Sequence, residues 1–192
     1  MIRILLVDDH PALRAGLTAV LRAEPGLVPL GAASSEEELW PALNRTKPDV
    51  VVLDYHVPPA DGLQLCRRIK RQLTPPKVLL YSAYADAKLV IPGILAGADG
   101  VVNKSAPAGE LYDAIRTVAR GENVRPPVTR ELLEDANARL ESDDLPILGM
   151  ALDGTPEGEI ARTLGLSADE LTHRLERMIS RLKVEVPVPR AV

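Results

Sequence analysis

Residues 50–62 read VVVLDYHVPPADG, and the reading of this stretch decides the fold. Three valines and a leucine form a short apolar run without alternation, the pattern of a strand covered on both faces. The run stops at Asp54, and Pro58, Pro59 and Gly62 then mark a turn. Four more apolar runs surround it: IRILLV (2–7), LVPLGAA (27–33), KVLLYSA (77–83) and GVVN (100–103). Helical stripes lie between them, such as Leu13, Leu17, Val20 and Leu21, then Leu63, Cys66 or Arg67 and Ile69, then Leu111, Ile115 and Val118. Alternating strand and helix predicts an α/β fold with a parallel sheet and right-handed crossovers. Any ligand site is then expected at the carboxyl ends of the strands.

Those ends hold an unusual set of side chains. The first strand runs into Asp8 and Asp9, the third into Asp54, the fourth into Ser82, and the fifth stops just before Lys104. Three carboxylates at one edge repel each other and resist ionisation unless a cation compensates. Lys104 is one such cation, and an oxygen-preferring divalent ion such as Mg²⁺ is the natural second. A carboxylate held by a metal, beside an amine and a hydroxyl, is suited to accept a phosphoryl group. The cations neutralise its equatorial oxygens and the hydroxyl holds one of them.

The chain has 192 residues with 27 acids, 23 bases and one cysteine, Cys66. A lone cysteine excludes an intramolecular disulfide and a cysteine-based zinc cluster. The opening MIRILLV is too short for a signal peptide or a membrane span, so a soluble, cytoplasmic protein is expected. Charge is divided unevenly. Residues 1–140 hold 17 acids and 17 bases, whereas residues 141–192 hold 10 acids and 6 bases. The whole net charge of −4 therefore lies in the last quarter, which argues against a general affinity for nucleic acid.

That last quarter reads as three short helices. Leu145 to Leu152 forms the first, with Pro146 tolerated in its first turn and Gly154 closing it. The second contains Ile160, Ala161 and Leu164 and ends at Gly165. Ser167 is a good N-cap for the third, with Asp169 and Glu170 in its first turn. Leu171, Leu175, Met178, Ile179 and Leu182 make its apolar stripe. At helical spacing Arg174, Arg177 and Arg181 form a basic ridge about 110° from the centre of that stripe. Residues 131–140, ELLEDANARL, add a short linker helix, and the end, VEVPVPRAV, is expected to fray.

With these pieces assembled, residues 1–120 resemble the receiver domain of two-component response regulators. The matching segments are VDDH (7–10), VVLDYHVPPADG (51–62), YSA (81–83), AGADG (96–100) and NKSAP (103–107). The resemblance implies a five-stranded flavodoxin-like sheet of strand order 2-1-3-4-5. It also implies Asp54 as phosphoacceptor and Mg²⁺ bound by Asp9, Asp54 and the backbone carbonyl of His56, with Asp8 contributing indirectly. Ser82 and Lys104 match the family's phosphate-binding hydroxyl and lysine. His56 and Tyr84 stand where they can tune loss of the phosphoryl group, and His10 either reaches the site or starts a helix. Two features depart from the pattern. Val101 replaces an aromatic residue that often turns inward on activation, and Pro92-Gly93 interrupts helix four, which predicts a helix that shifts more easily.

The segment EIARTLGLS (159–167) followed by LTHRLERMISRLKV (171–184) resembles the helix-turn-helix of NarL/FixJ-type (LuxR-like) regulators, a pattern shared with region 4 of sigma factors. The expected organisation is a receiver over residues 1–121, a linker over 122–139 and a small all-α helix-turn-helix domain over 140–192. Here LESDD (140–144) stands where the family has Leu-Thr-Pro-Arg-Glu, and Glu170-Leu171-Thr172 where it has a Thr-Val-Lys-like run. The candidate DNA contacts are Glu170, Thr172, His173, Arg174, Arg177 and Arg181. The resemblance implies a histidine kinase as phosphoryl donor, promoter DNA as target and a phosphorylation-dependent homodimer. Catalysis is limited to self-phosphorylation and loss of the group. The alternative is a phospho-switched regulator whose acidic C-terminal unit binds protein instead of DNA. A haloacid-dehalogenase-type phosphatase needs a second acid two residues after its nucleophile, and position 56 is His.

Overall fold

The computed structural model describes residues 1–83 and 87–183. Five parallel strands form one sheet: β1 (Ile2–Val7), β2 (Leu27–Ala33), β3 (Val50–Leu53), β4 (Lys77–Ser82) and β5 (Gly100–Asn103). Their spatial order is β2-β1-β3-β4-β5, the order expected from the sequence. Neighbouring side chains along each strand go to opposite faces. Ile4, Leu6, Val50, Val52, Leu79 and Tyr81 enter one apolar cluster, and Leu5, Val7, Val51, Leu53, Val78 and Leu80 enter the other. Helices α1 (Pro11–Ala23) and α5 (Ala108–Ala119) close the first cluster. Helices α2 (Glu36–Thr46), α3 (Gly62–Lys70) and α4 (Ala87–Leu95) lie over the second.

The second cluster does not end with the sheet. It continues through Ile147, Leu148, Ile160, Leu171, Leu175, Met178 and Ile179 of the helical C-terminal part. That part comprises α6 (Arg130–Arg139), a 3₁₀ turn (Ser142–Asp144), α7 (Leu145–Leu152), α8 (Glu157–Leu164) and α9 (Ala168–Leu182). Helix α9 starts on a capping box, in which Ser167 and Glu170 satisfy each other's backbone N–H groups. Its buried stripe is the one read from the sequence. The linker is tied to the sheet as well: Val124 pairs with the exposed edge of β5, accepting from the Val101 N–H at 2.7 Å.

Helix α4 is the element on which most of this packing converges, against α6, α7 and α9. Pro92 lies within it, and the helix stays continuous to Leu95. Gly93 explains how closely it sits on the sheet. A Cβ there would lie 3.3 Å from both Leu80 Cδ1 and Val101 Cγ2. The small residue at 93 and the valine at 101 therefore belong together, one accommodating the other. Tyr84 and the Pro-rich tail after Lys183 lie outside the described residues.

Candidate functional site

The sheet order delivers the predicted residues to one place. The Asp54 N–H donates to the Val7 carbonyl at 2.8 Å, which sets the end of β3 beside the end of β1. The Lys104 N–H donates to the Ser82 carbonyl at 3.0 Å, which does the same for β5 and β4. The Lys104 ammonium then reaches across the edge, donating to Asp8 Oδ2 at 2.6 Å and to Asp54 Oδ2 at 2.7 Å. Asp8, Asp54 and Ser82 are buried. His56 and His10 are exposed, although His10 Nδ1 lies 2.6 Å from Asp9 Oδ1 and 3.3 Å from Asp8 Oδ1.

Burial raises the Asp54 carboxyl above its ordinary value, because a charge is costly away from water. The Lys104 hydrogen bonds and charge pull the other way without cancelling the effect. Burial acts on Lys104 in the opposite sense, favouring the neutral amine. The hydrogen bonds to Asp54 and Asp8 outweigh it, so the ammonium is held above its usual range. The result is a half-buried cation shared by two buried carboxylates, one of them reluctant to ionise.

Asp8, Asp9, His10 and Asp54 offer oxygen and nitrogen atoms all within 4.8 Å of one another, a cluster able to hold a metal ion. The buried Asp9 Oδ1 has no hydrogen-bond partner, since its approach to His10 lacks hydrogen-bond geometry. An orphaned carboxylate oxygen beside two further carboxylates fits a hard divalent cation.

The phosphoacceptor candidate is also coupled to α3. The Gly62 N–H donates to the Tyr55 carbonyl at 2.7 Å, and a Cβ at 62 would lie only 2.2 Å from the Asp54 backbone oxygen. Only glycine allows this approach, so the start of α3 rests directly on the backbone of Asp54. Asp61 caps the helix, accepting from the Gln64 N–H at 2.8 Å.

From α3 the ion pairs run to the C-terminal helices. Arg67, 3 % exposed, makes a two-pronged pair with Glu157 of α8, one prong being Nη2 to Oε2 at 3.0 Å. Arg71 pairs with Glu176 of α9 at 3.8 Å, and Asp61 with Lys183 at 2.5 Å. The functional reading of the sequence did not single out these residues. Their one signal was a charged Arg67 falling on the apolar beat of α3, where an arginine needs a buried partner.

The candidate DNA contacts lie in different surroundings. The carboxylate of Glu170 is engaged in the capping box, accepting from the Ser167 N–H at 2.8 Å. Thr172 is half-buried and His173 exposed. Arg174 turns back to the Asp143 carbonyl at 3.2 Å, and Arg181 pairs with Glu141. Arg177 is exposed.

The sequence model for the response regulator receiver domain matches residues 4–116. The chain is 31 % identical to the transcriptional regulatory protein LiaR of Bacillus subtilis, over 96 % of this chain and 92 % of that one. It is 28 % identical to the DNA-binding transcriptional activator DevR/DosR of Mycobacterium tuberculosis, over 96 % and 90 %. Among solved structures, a LuxR-family two-component response regulator from Aurantimonas superposes with a TM-score of 0.64 at 29 % identity. It covers 70 % of this chain and 97 % of its own. The chain belongs to the response regulators of the LuxR (NarL/FixJ) type. Members of this family are not catalytic enzymes in the usual sense. Among the described residues no helix is long and apolar enough to cross a membrane.

Proposed function

We propose that this chain is a cytoplasmic response regulator that takes a phosphoryl group from a histidine kinase onto Asp54 and thereby controls transcription through its C-terminal helices. The observation that carries this reading is the half-buried Lys104 ammonium bridging the buried Asp8 and Asp54 at the carboxyl edge of the sheet. In the reaction an Asp54 carboxylate oxygen bonds to phosphorus as the bond to the kinase histidine breaks. Lys104 and the Ser82 hydroxyl hold the oxygens of the transferred group, and each stabilises charge that the transfer brings into a buried site. Asp9, Asp54 and the His56 carbonyl would hold Mg²⁺, with Asp8 acting indirectly, and the ion would supply the remaining neutralisation. His56, being exposed, is free to influence water entry.

The division proposed is a receiver over 1–121, a linker over 122–139 and a helix-turn-helix domain over 140–192. The contacts support a route between them. A phosphoryl group on Asp54 adds charge and bulk where Gly62 presses on the same backbone, and α3 with its flanking residues Asp61 and Arg71 carries three ion pairs to α8, to α9 and to Lys183 just after it. Loosening α3 frees the C-terminal domain to dimerise on promoter DNA, with Thr172, His173 and Arg177 the contacts least engaged elsewhere.

The experiment is incubation of the full chain with radiolabelled acetyl phosphate and Mg²⁺, followed by selection of bound fragments from sheared DNA of the source organism. Acid-labile label on Asp54 and enrichment of discrete fragments are expected. Label that persists in Asp54→Asn overturns the acceptor assignment. Failure to retain any fragment, phosphorylated or not, redirects the C-terminal domain to a protein partner.

A further inference from the structure

Two arginines of the basic ridge of α9, Arg174 and Arg181, are engaged by the segment just before α7. Arg174 donates to the Asp143 carbonyl at 3.2 Å and lies 3.7 Å from the Asp144 carboxylate. Asp144 is 1 % exposed, and neither of its carboxylate oxygens has a hydrogen-bond partner, so this pairing lies inside the domain and supports its packing. Glu141 differs. It pairs with Arg181 at the surface, where the two side chains are 53 % and 37 % exposed. The hydrogen bond and charge of Arg181 hold the Glu141 carboxyl below its ordinary value, and the charges of Arg177 and Arg174 add to this. One carboxylate therefore sits in the field of all three arginines. Residues 141–144 bring three acids to a flank that holds three bases.

An arginine fork accepts a carboxylate and a phosphate in the same way, through paired N–H groups aimed at two oxygens. A surface ion pair contributes little to folding, because both partners are nearly as well off in water. It still occupies the guanidinium and cancels its charge. We infer that Glu141 is an internal stand-in for a DNA phosphate, holding Arg181 until a real phosphate displaces it. The inference rests on the DNA-binding reading given above. It makes Glu141 a determinant of how much of this chain's DNA affinity is independent of sequence. With the ridge neutralised, loose association with any duplex is suppressed, and binding depends on contacts that only a correct site supplies.

The test uses the full chain, phosphorylated with acetyl phosphate and Mg²⁺, and a random-sequence duplex titrated over a range of salt. Four proteins are compared: the natural chain, Glu141→Gln, Arg181→Gln and the double variant. Glu141→Gln is expected to bind several-fold more tightly, with a slope of log affinity against log salt steeper by about 0.9 for each phosphate newly engaged. Arg181→Gln alone should weaken binding to the random duplex by less than Glu141→Gln strengthens it, because Glu141 already neutralises that charge there. In the double variant the gain should vanish. Thermal midpoints should stay together, as befits a surface pair. If Glu141→Gln matches the natural chain in affinity and slope, the inference fails while the DNA-binding reading stands. A gain that survives Arg181→Gln overturns it too, because removal of any acid would then serve as well. If none of the four binds duplex DNA even at the lowest salt, the reading itself falls and the inference with it.

Discussion

Lys104 and Arg181 each face a carboxylate, but in different surroundings. Lys104 is 14 % exposed and meets two carboxylates that are each 4 % exposed. Arg181 and Glu141 both reach water. In the first cluster each group needs the other, because an uncompensated charge there has no solvent to turn to. Its geometry is therefore tightly set, and a change at one member disturbs all. In the second, either partner can exchange for water, salt or a phosphate at little cost. The comparison teaches that the same pairing of charges builds a site when buried and an adjustable surface when exposed.

The largest effect should come from the acceptor. Asp54→Asn should abolish Mg²⁺-dependent, acid-labile labelling, read by phosphate incorporation from acetyl phosphate. Residual labelling at the natural rate would place the reacting group elsewhere. Lys104→Met should slow labelling by roughly 10²-fold, as loss of one preorganised charge-stabilising donor does. The Arg181→Gln change should leave the labelling rate untouched, and an equal effect of both would erase the distinction between the clusters.

The pH profile sharpens the same point. Asp54 must be ionised to accept, and burial raises its carboxyl above the usual 3.8. In the absence of Mg²⁺ the Asp54 carboxyl, followed by NMR, should therefore titrate above that value. A metal-free midpoint at or below 3.8 would contradict the buried acceptor. Lys104 is raised above 10.5, so its contribution to stability is full below that pH and is lost as pH rises through the higher folded value.

Between the two extremes lies the Arg67–Glu157 pair, buried at one end only, since Glu157 is 48 % exposed. Glu157→Gln strands a buried guanidinium and should cost about 2–3 kcal/mol, less than a fully buried pair because one partner reaches solvent. Arg67→Met replaces the charge with apolar volume and should cost under about 1 kcal/mol. Denaturant unfolding of the two variants checks the order, and the reverse order would mean that Arg67 is not held by burial. The cap of α9 contributes an effect of similar small size. Ser167→Ala removes the bond to the Glu170 N–H and should cost about 1 kcal/mol in thermal unfolding.

The sequence was most legible where one physical requirement repeats. Apolar runs without alternation marked the strands, and Asp54, Ser82 and Lys104 followed because a parallel sheet puts its strand ends on one edge. Ser167 and Glu170 were readable as helix-start residues for the same local reason. Arg174 and Arg181 were not, because a ridge drawn from helical spacing shows which side chains share a flank but not what lies against it. Arg67, Asp61 and Lys183 were harder still, since their partners are 90 or more residues away for Arg67 and more than 100 for the Asp61–Lys183 pair.

By itself, then, the sequence determined the α/β class, the strand-end constellation and the three-helix C-terminal unit, because each depends on periodicity or on neighbours along the chain. Only the tertiary structure decided that Gly62 rests on the Asp54 carbonyl, that α3 and α4 hold the C-terminal helices, and that Glu141 occupies the arginine ridge. These depend on which surfaces meet in space, and burial and charge compensation select those meetings only once the whole chain has folded.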